Sequence, residues 1–222
     1  MNTATQTVKD FITKNYFSYL FLAFVLIGIY PLLMWSKVDA NVLVNEHVAS
    51  YTLDPIFIFY SRVFEGWCFL FISIVMLFIS KKKLVMFILA GLLCWLITLV
   101  LKDYVFGNLP RPNKYLPLES YSHILEDVSI YKSQYTFPSG HSMTAFAVMS
   151  LFSTFTKKRF WPVVFFVIAL GAAFSRIYLL QHFFIDIYVG AIIGYGITIL
   201  NLFLFTKVFP LADTPLFSLR NM

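Results

Sequence analysis

The stretch SRIYLLQHFFID, residues 175–186, places three ionisable side chains in strongly apolar surroundings: Arg176, His182 and Asp186. Such groups are costly in apolar surroundings, so their presence indicates a function. His182 and Asp186 are four positions apart and share a face if the segment is helical. An aspartate that accepts from one imidazole nitrogen fixes the tautomer and leaves the other nitrogen free to attack. We therefore predict His182 as a nucleophile.

Two further stretches supply more cations and a second imidazole. KDYVFGNLPRP, residues 102–112, contains Lys102 and Arg111, and PSGH, residues 138–141, ends in His141. Lysine is a flexible point charge, whereas arginine has a planar fork that grips two phosphate oxygens at once. Together with the arginine of the first stretch, these cations predict a site for an anionic ligand that carries phosphate.

The PSGH stretch precedes a predicted helix and adds backbone donors. The N–H groups of Ser139 and Gly140 are predicted to point at the ligand, because a helix N-terminus favours anions. We predict that His182 forms a phosphohistidine and that His141 protonates the leaving oxygen and then activates water. No metal is predicted, since metal phosphatases typically bring several carboxylate ligands and only Asp186 is well placed.

The composition indicates that the elements positioning these residues lie in a membrane. Of the 222 residues, 59% are hydrophobic and 13% are charged, whereas a soluble domain carries about 25% charged residues. The net charge of +6 lies largely in short clusters beside apolar runs, a pattern that encodes membrane topology and argues against nucleic-acid binding. Cys68 and Cys94 fall in apolar segments and are interpreted as small buried hydrophobes.

Six apolar segments are predicted to form an all-α bundle of membrane-spanning helices, a single domain over residues 1–222. Most approach the roughly 20 residues that cross a bilayer core, and the fourth is shorter. Gly190 and Gly194, in the last segment, have a small-xxx-small spacing that predicts tight packing between helices of one chain. The segments are approximately residues 17–35, 64–80, 84–101, 141–156, 161–180 and 184–206.

Basic clusters between the segments predict their orientation. Residues 81–83 (KKK) and 157–159 (KKR) form tight basic loops, and such loops stay on the cytoplasmic side. Lys9, Lys14 and Lys207 flank the first and last segments and agree with this assignment. Both termini are therefore predicted to be cytoplasmic. The outward-facing loops are then residues 36–63, 102–140 and 181–183.

The helical rise places the candidate residues at one depth. At about 1.5 Å per residue, Lys102 lies about 28 Å and Arg176 about 25 Å from the cytoplasmic ends of their spans. His141 lies about 24 Å and His182 at most about 37 Å from the corresponding ends. These groups are therefore predicted to meet near the outer edge of the bilayer, beside the lipid headgroups.

Taken in order, the three stretches resemble the motifs of the type 2 phosphatidic acid phosphatase family, which shares its core with vanadium haloperoxidases and bacterial non-specific acid phosphatases. The match covers the Lys, Arg and Pro of residues 102–112, PSGH at 138–141, and the Ser-Arg, His and Asp of residues 175–186. The resemblance extends over about residues 64–206. It implies six spans, a site at the outer face, and removal of phosphate from lipids through a phosphohistidine without metal.

The first stretch departs from the family pattern in its spacing. Eight residues separate Lys102 from Arg111, two more than is usual in the family. We expect Gly107 and Pro110 to form a loop that absorbs the extra residues. The surrounding loop, residues 102–140, has two interpretations: a mobile outer loop, or a lid that recognises the lipid headgroup.

These observations predict a metal-independent phosphatase of a bacterial envelope lipid, located in the inner membrane with its site facing the periplasm. Lipid A and polyprenyl diphosphate are equally good candidate substrates, and phosphatidylglycerol phosphate and phosphatidic acid also present phosphate at this depth. Two other functions stay open. One is a phosphotransferase that uses the same intermediate, and the other is a non-catalytic protein that binds or transports lipid phosphate. No cofactor is predicted.

Overall fold

The computed structural model of the protein describes residues 3–116, 135–207, 211 and 213–216. Within these residues the chain forms helices joined by short connections and contains no β-strand, so the predicted all-α class is confirmed. The middle of the predicted outer loop, residues 117–134, lies outside the described residues, and with it most of the predicted lid.

Nine α-helices are present in the described part of the chain. Polar side chains begin two of the long ones: Asn15 accepts from the N–H of Phe17 at 2.9 Å, and Ser80 accepts from the N–H of Lys83 at 3.2 Å. Such caps satisfy N–H groups that have no partner within the helix. In chain order the helices are α1 (Thr3–Lys14), α2 (Tyr16–Met34), α3 (Asp39–His47), α4 (Asp54–Val63), α5 (Cys68–Leu77), α6 (Lys81–Leu99), α7 (Gly140–Thr154), α8 (Phe160–Tyr178) and α9 (Phe184–Lys207).

Four of these helices are long and apolar enough to cross a bilayer, which makes the chain an integral membrane protein. They are α2, α8, α9 and the continuous helix Lys81–Val105 that begins with α6. α4 and α5 are bent by 61° relative to each other and count as a fifth span only when taken together. The predicted second span, residues 64–80, is thus a shorter helix here, because the chain turns at residues 64–67. The count of six spans and the cytoplasmic termini stay predictions.

The short helix α7 lies at the centre of the bundle. It packs against α8 on one side and α9 on another, and α6 also contacts it. Every residue from 142 to 148 is buried, which requires small or apolar side chains all round the helix. The segment meets this requirement with Ser, Met, Thr, Ala, Phe and Val. The N-terminus of this buried helix carries the PSGH stretch.

Two glycines let α9 approach α7 closely. A Cβ atom placed on Gly190 would lie 2.5 Å from the carbonyl oxygen of Ser139, and one on Gly194 would overlap the carbonyl oxygen of Met143. Backbone atoms do not move aside cheaply, so only glycine fits at these positions. The predicted tight packing within the chain is confirmed at both glycines. This contact fixes the start of α7 against the first turns of α9.

Replacing Gly194 with alanine should destabilise the protein, because the added methyl group forces α7 and α9 apart. We expect the free energy of unfolding to fall by about 1–3 kcal/mol. Gly196 lies in the same helix, and a methyl group there would have no neighbouring atom within 4 Å. Gly196→Ala is therefore the matched control, with stability unchanged or raised by up to about 1 kcal/mol through helix propensity. Unfolding in detergent measures both variants, and equal losses would contradict the close packing.

Candidate active site

Lys102 lies where the α6 segment changes into a π-helical turn, Val100–Val105. The N–H of Phe106 donates to the carbonyl of Leu101 at 2.7 Å, and such a bond encloses one more residue than an α-helical bond. Gly107 then folds back so closely that a Cβ atom would lie 2.8 Å from the carbonyl oxygen of Lys102. The chain thus folds back sharply between Lys102 and Gly107. The expectation that Gly107 and Pro110 absorb the two extra residues stays a prediction.

Arg111 is buried and joins the first stretch to the third. Its Nη1 donates to the backbone carbonyl of Gln181 at 2.8 Å, and its Nη2 donates to the carbonyl of Tyr135 at 3.4 Å. Gln181 immediately precedes His182. These bonds hold the guanidinium group beside the predicted nucleophile.

The PSGH stretch begins α7, and its residues face in different directions. The N–H of Ser139 donates to the backbone carbonyl of Asp186 at 3.0 Å, and its hydroxyl accepts from the N–H of Ser142 at 3.4 Å. The Ser139 N–H was predicted to face the ligand, but the start of α9 supplies its acceptor instead. Gly140 follows it in the first turn. The Nε2 of His141 is buried and has no hydrogen-bond partner among the described residues.

A tight turn between α8 and α9 brings Arg176 and His182 together. Leu180 adopts a left-handed conformation with φ of 53°, which costs a non-glycine residue about 1–2 kcal/mol. The carbonyl of Arg176 accepts from the N–H groups of both Gln181 and His182, at 2.9 Å and 3.1 Å. This pattern closes the end of α8 in the manner of a Schellman motif. The number of residues between Arg176 and His182 in the sequence is therefore the number that this turn needs.

Asp186 lies in the first turn of α9 and is buried behind His182. Its Oδ2 accepts from the N–H of Phe183 at 2.9 Å, lies 3.3 Å from the Nδ1 of His182, and accepts a short hydrogen bond from the hydroxyl of Thr136. The bond to Phe183 is half of a capping box. His182 itself lies two residues before the helix, so this capping arrangement, and not a shared helical face, brings the pair together.

One cavity of about 410 Å³ gathers six of the eight candidate residues. Ser139 and Asp186 lie behind the cavity wall, where they hold its residues in place. Much of the remaining lining, here called the apolar end, is contributed by α5, α6 and the turn before α5. The candidate residues that line it are Lys102, Arg111, Gly140, His141, Arg176 and His182, and the apolar end includes Phe64, Phe69, Gly91, Cys94 and Trp95.

His182 is held in its neutral form. Its side chain is buried, and this burial, reinforced by the positive charges of Lys102, Arg176 and Arg111, holds the pKa of His182 well below its ordinary value. An isolated histidine is half protonated at about pH 6.5, so His182 is neutral at neutral pH. With its proton on Nδ1, facing Asp186, the ring keeps a free electron pair on Nε2.

Comparison with known proteins places this geometry in a family. The family model described as the PAP2 superfamily matches residues 82–209, which include all three stretches. The chain belongs to the PAP2 superfamily. The crystal structure of Aquifex aeolicus LpxE is similar to this PAP2 chain, with a TM-score of 0.60 and 26% sequence identity over 75% of this chain and 94% of LpxE. No match was found among curated proteins.

The PAP2 family and the structural match support a hydrolase that removes phosphate from lipid. The predicted family and the predicted class of enzyme are thereby confirmed. Within the part of the chain that the structure describes, no group of three or more His, Cys, Asp or Glu side chains has the arrangement of a metal site.

Three residues that support the PAP2 site were not predicted. Asn41 in α3 donates through Nδ2 to the carbonyl of His182 at 3.1 Å, and Ser61 in α4 accepts a short hydrogen bond from Nη1 of Arg176. Both precede the region covered by the family motifs, so no motif pointed to them. Thr136 stands two residues before PSGH, and that proximity was the only available signal.

A second cavity of about 430 Å³ lies at the other end of the PAP2 bundle. It is lined by Lys14, Lys82 and Lys83, but Lys14 pairs with Asp10 at 2.9 Å and Lys83 pairs with Asp213 at 3.8 Å. No histidine lines it. Although the two cavities are similar in size, only the first combines imidazoles with cations, so we assign the chemistry to the first.

Proposed function

We propose that the chain removes phosphate from a membrane lipid through a phosphohistidine formed on His182. One observation carries this proposal: a single cavity is lined by two imidazoles and three cations and also by apolar side chains. The cationic end suits a phosphate group, and the apolar end suits the hydrocarbon part of a lipid.

In the first step, Lys102, Arg111 and Arg176 bind the phosphate oxygens. The neutral Nε2 of His182 attacks phosphorus, and the bond between phosphorus and the lipid oxygen breaks. The negative charge of the bound phosphate favours the protonated form of His141. His141 donates this proton to the lipid oxygen as it leaves. The cations and the N-terminus of α7 stabilise the negative charge that develops on the phosphoryl oxygens.

The Asp186 carboxylate supports this step from behind the nucleophile. As Nε2 bonds to phosphorus, the ring of His182 becomes positively charged. The carboxylate oxygen, 3.3 Å from Nδ1, stabilises that charge and keeps the proton on Nδ1.

In the second step, water replaces the lipid. His141 has lost its proton to the leaving group and now accepts one from water. The water oxygen attacks phosphorus, the bond between phosphorus and Nε2 breaks, and inorganic phosphate leaves. His182 returns to its neutral form, so the cycle consumes one water molecule and needs no other reactant.

A lipid substrate is favoured by the apolar end of the cavity. Phe69 and Cys94 line it between α5 and α6, and Trp95 is 62% exposed on the outer surface of α6. In a membrane this surface faces lipid chains. A substrate with a phosphate and a hydrocarbon chain would extend from the cations to this surface, whereas a small soluble phosphate ester would leave the apolar end unfilled.

We propose a bacterial envelope lipid as substrate, either lipid A or polyprenyl diphosphate, with the site facing the periplasm of the inner membrane. The positions of the basic side chains support this orientation. Lys14, Lys82 and Lys83 meet at the opposite end of the bundle from the catalytic cavity, and basic flanks of this kind stay in the cytoplasm. Phosphotransfer shares the first chemical step and differs only in the acceptor of the second.

The purified protein should release inorganic phosphate from lipid A, polyprenyl diphosphate or both. His182→Ala removes the nucleophile and should lower kcat by roughly a thousandfold or more while the variant still folds in detergent. A panel of phosphorylated lipids with a phosphate-release assay measures this. Transfer of labelled phosphate to a lipid or sugar acceptor would indicate the phosphotransferase, and binding without release would indicate the non-catalytic function.

Filling the apolar end should discriminate lipid from soluble substrates. A side chain on Gly66 would enter open space at the edge of the cavity, with no atom within 4 Å of its Cβ. Gly66→Leu should therefore lower kcat/KM for a lipid phosphate roughly tenfold or more, a change of about 1.4 kcal/mol or more, and should leave p-nitrophenyl phosphate turnover nearly unchanged.

The matched control is Gly196→Leu, which adds the same side chain to open space on α9, away from the catalytic cavity. It should leave the turnover of both substrates unchanged. Equal loss of both activities in Gly66→Leu, or no loss of either, would contradict the placement of the hydrocarbon chain.

A further inference from the structure

Thr136 is buried between the nucleophile and its carboxylate. The residue is 1% exposed. Its hydroxyl donates a short hydrogen bond to Oδ2 of Asp186. The hydroxyl oxygen, Oγ1 of Thr136, also lies 3.4 Å from Nδ1 of His182. Its backbone N–H donates to the carbonyl of Leu109 at 3.3 Å. The backbone of Thr136 is therefore bonded to the stretch that carries Arg111, and its side chain is bonded to the carboxylate of Asp186.

The direct contact between the histidine and the aspartate is long. Nδ1 of His182 lies 3.3 Å from Oδ2 of Asp186, whereas N–H···O hydrogen bonds typically span about 2.7–3.2 Å. Nδ1 of His182 thus lies at nearly equal distance from the carboxylate oxygen and the threonine hydroxyl oxygen. The backbone of Thr136 also hydrogen-bonds to His182, so both the backbone and the side chain of Thr136 contact the imidazole. Because the hydroxyl gives its own proton to the carboxylate, its lone pairs are available to the imidazole.

From this arrangement we propose that Thr136 is a positioning residue, whose hydroxyl closes a ring of hydrogen bonds with Asp186 and His182 and aims Nε2 into the cavity. The inference rests on the proposed nucleophilic function of His182. Two acceptors on Nδ1–H fix the ring plane more tightly than one, and they keep the proton on Nδ1. Thr136 acts through the imidazole, since it lies outside the cavity lining.

The backbone just before Thr136 has an unfavourable conformation, which indicates that the surrounding structure holds Thr136 in its position. The preceding residue, Tyr135, has φ of 65°, a conformation that is unfavourable for a bulky side chain. Its carbonyl accepts from Arg111 at 3.4 Å. The chain thus adopts a strained conformation at the point that brings the hydroxyl of Thr136 to the carboxylate, and such strain concentrates at functional sites.

Three variants test the proposal. Thr136→Val replaces the hydroxyl with a methyl group of nearly equal size, and Thr136→Ser keeps the hydroxyl. Thr136→Val should lower kcat for lipid phosphate by at least about tenfold, because a buried carboxylate loses a donor and the imidazole loses an acceptor. Its KM should stay within about twofold, since the cavity lining is unchanged, and Thr136→Ser should recover most of kcat.

The matched control is Thr198→Val in the middle of α9. Thr198 is also fully buried, and its hydroxyl contacts the hydroxyl of Ser150 at 2.6 Å, far along the bundle from the cavity. Thr198→Val makes the same chemical change and should leave kcat unchanged even where it lowers the unfolding temperature. If Thr136→Val cannot be purified, kcat of Thr136→Ala, which also lacks the hydroxyl, is compared with kcat of Thr136→Ser instead.

The possible outcomes separate the two proposals. Unchanged kcat in Thr136→Val, a loss confined to KM, or a loss in Thr136→Ser as large as in Thr136→Val would overturn the positioning role. Absence of phosphate release by the unmodified protein would instead overturn the proposed function. A fall in kcat in Thr136→Val, with kcat restored in Thr136→Ser and preserved in Thr198→Val, supports the proposal.

Discussion

Burying guanidinium groups inside an apolar bundle is unfavourable unless each group finds acceptors. Arg111 and Arg176 are 7% and 2% exposed, and both donate to neutral oxygens: the carbonyl of Gln181 at 2.8 Å and the hydroxyl of Ser61. Each of these contacts gives a buried guanidinium N–H group an acceptor. The positive charges of these arginines serve two purposes. They suit a phosphate group, and they add to burial and to Lys102 in holding the pKa of His182 well below its ordinary value, which leaves its imidazole neutral and nucleophilic.

The packing of the bundle explains how such groups come together from distant parts of the chain. The buried helix α7 brings its N-terminus against the start of α9, where Gly190 allows backbone contact. The turn between α8 and α9 then places Arg176 and His182 side by side, with the carbonyl of Arg176 accepting two N–H groups. Helix α3 secures that turn, since Asn41 donates to the carbonyl of His182. The site is thus built from helix ends that the core holds rigidly.

Much of this arrangement could be predicted because motif residues and apolar periodicity are local signals. Six of the eight candidate residues line one cavity, and both that set and the tight packing at Gly194 follow from short patterns. The π-helical turn at Val100–Val105 could not be predicted, since helical propensity does not distinguish it from an α-helix. The sequence also did not predict the roles of Asn41, Ser61 and Thr136, because these roles depend on contacts with residues far away in the chain. The predicted second span began at residue 64, whereas α5 begins at Cys68, after the turn at residues 64–67. The bend of 61° between α4 and α5 has no signal in the local pattern of apolar residues.

Attack by neutral His182 within the cationic cavity is measured most directly by trapping the phosphoenzyme. The protein would be mixed with a lipid carrying labelled phosphate and quenched in alkali within milliseconds, because phosphate bound to histidine survives alkali and is lost in acid. Peptide mapping should locate the label on His182, and it should disappear when the quench is acidic. Label on a different residue, or turnover with no labelled protein at any time point, would contradict a phosphohistidine at this position.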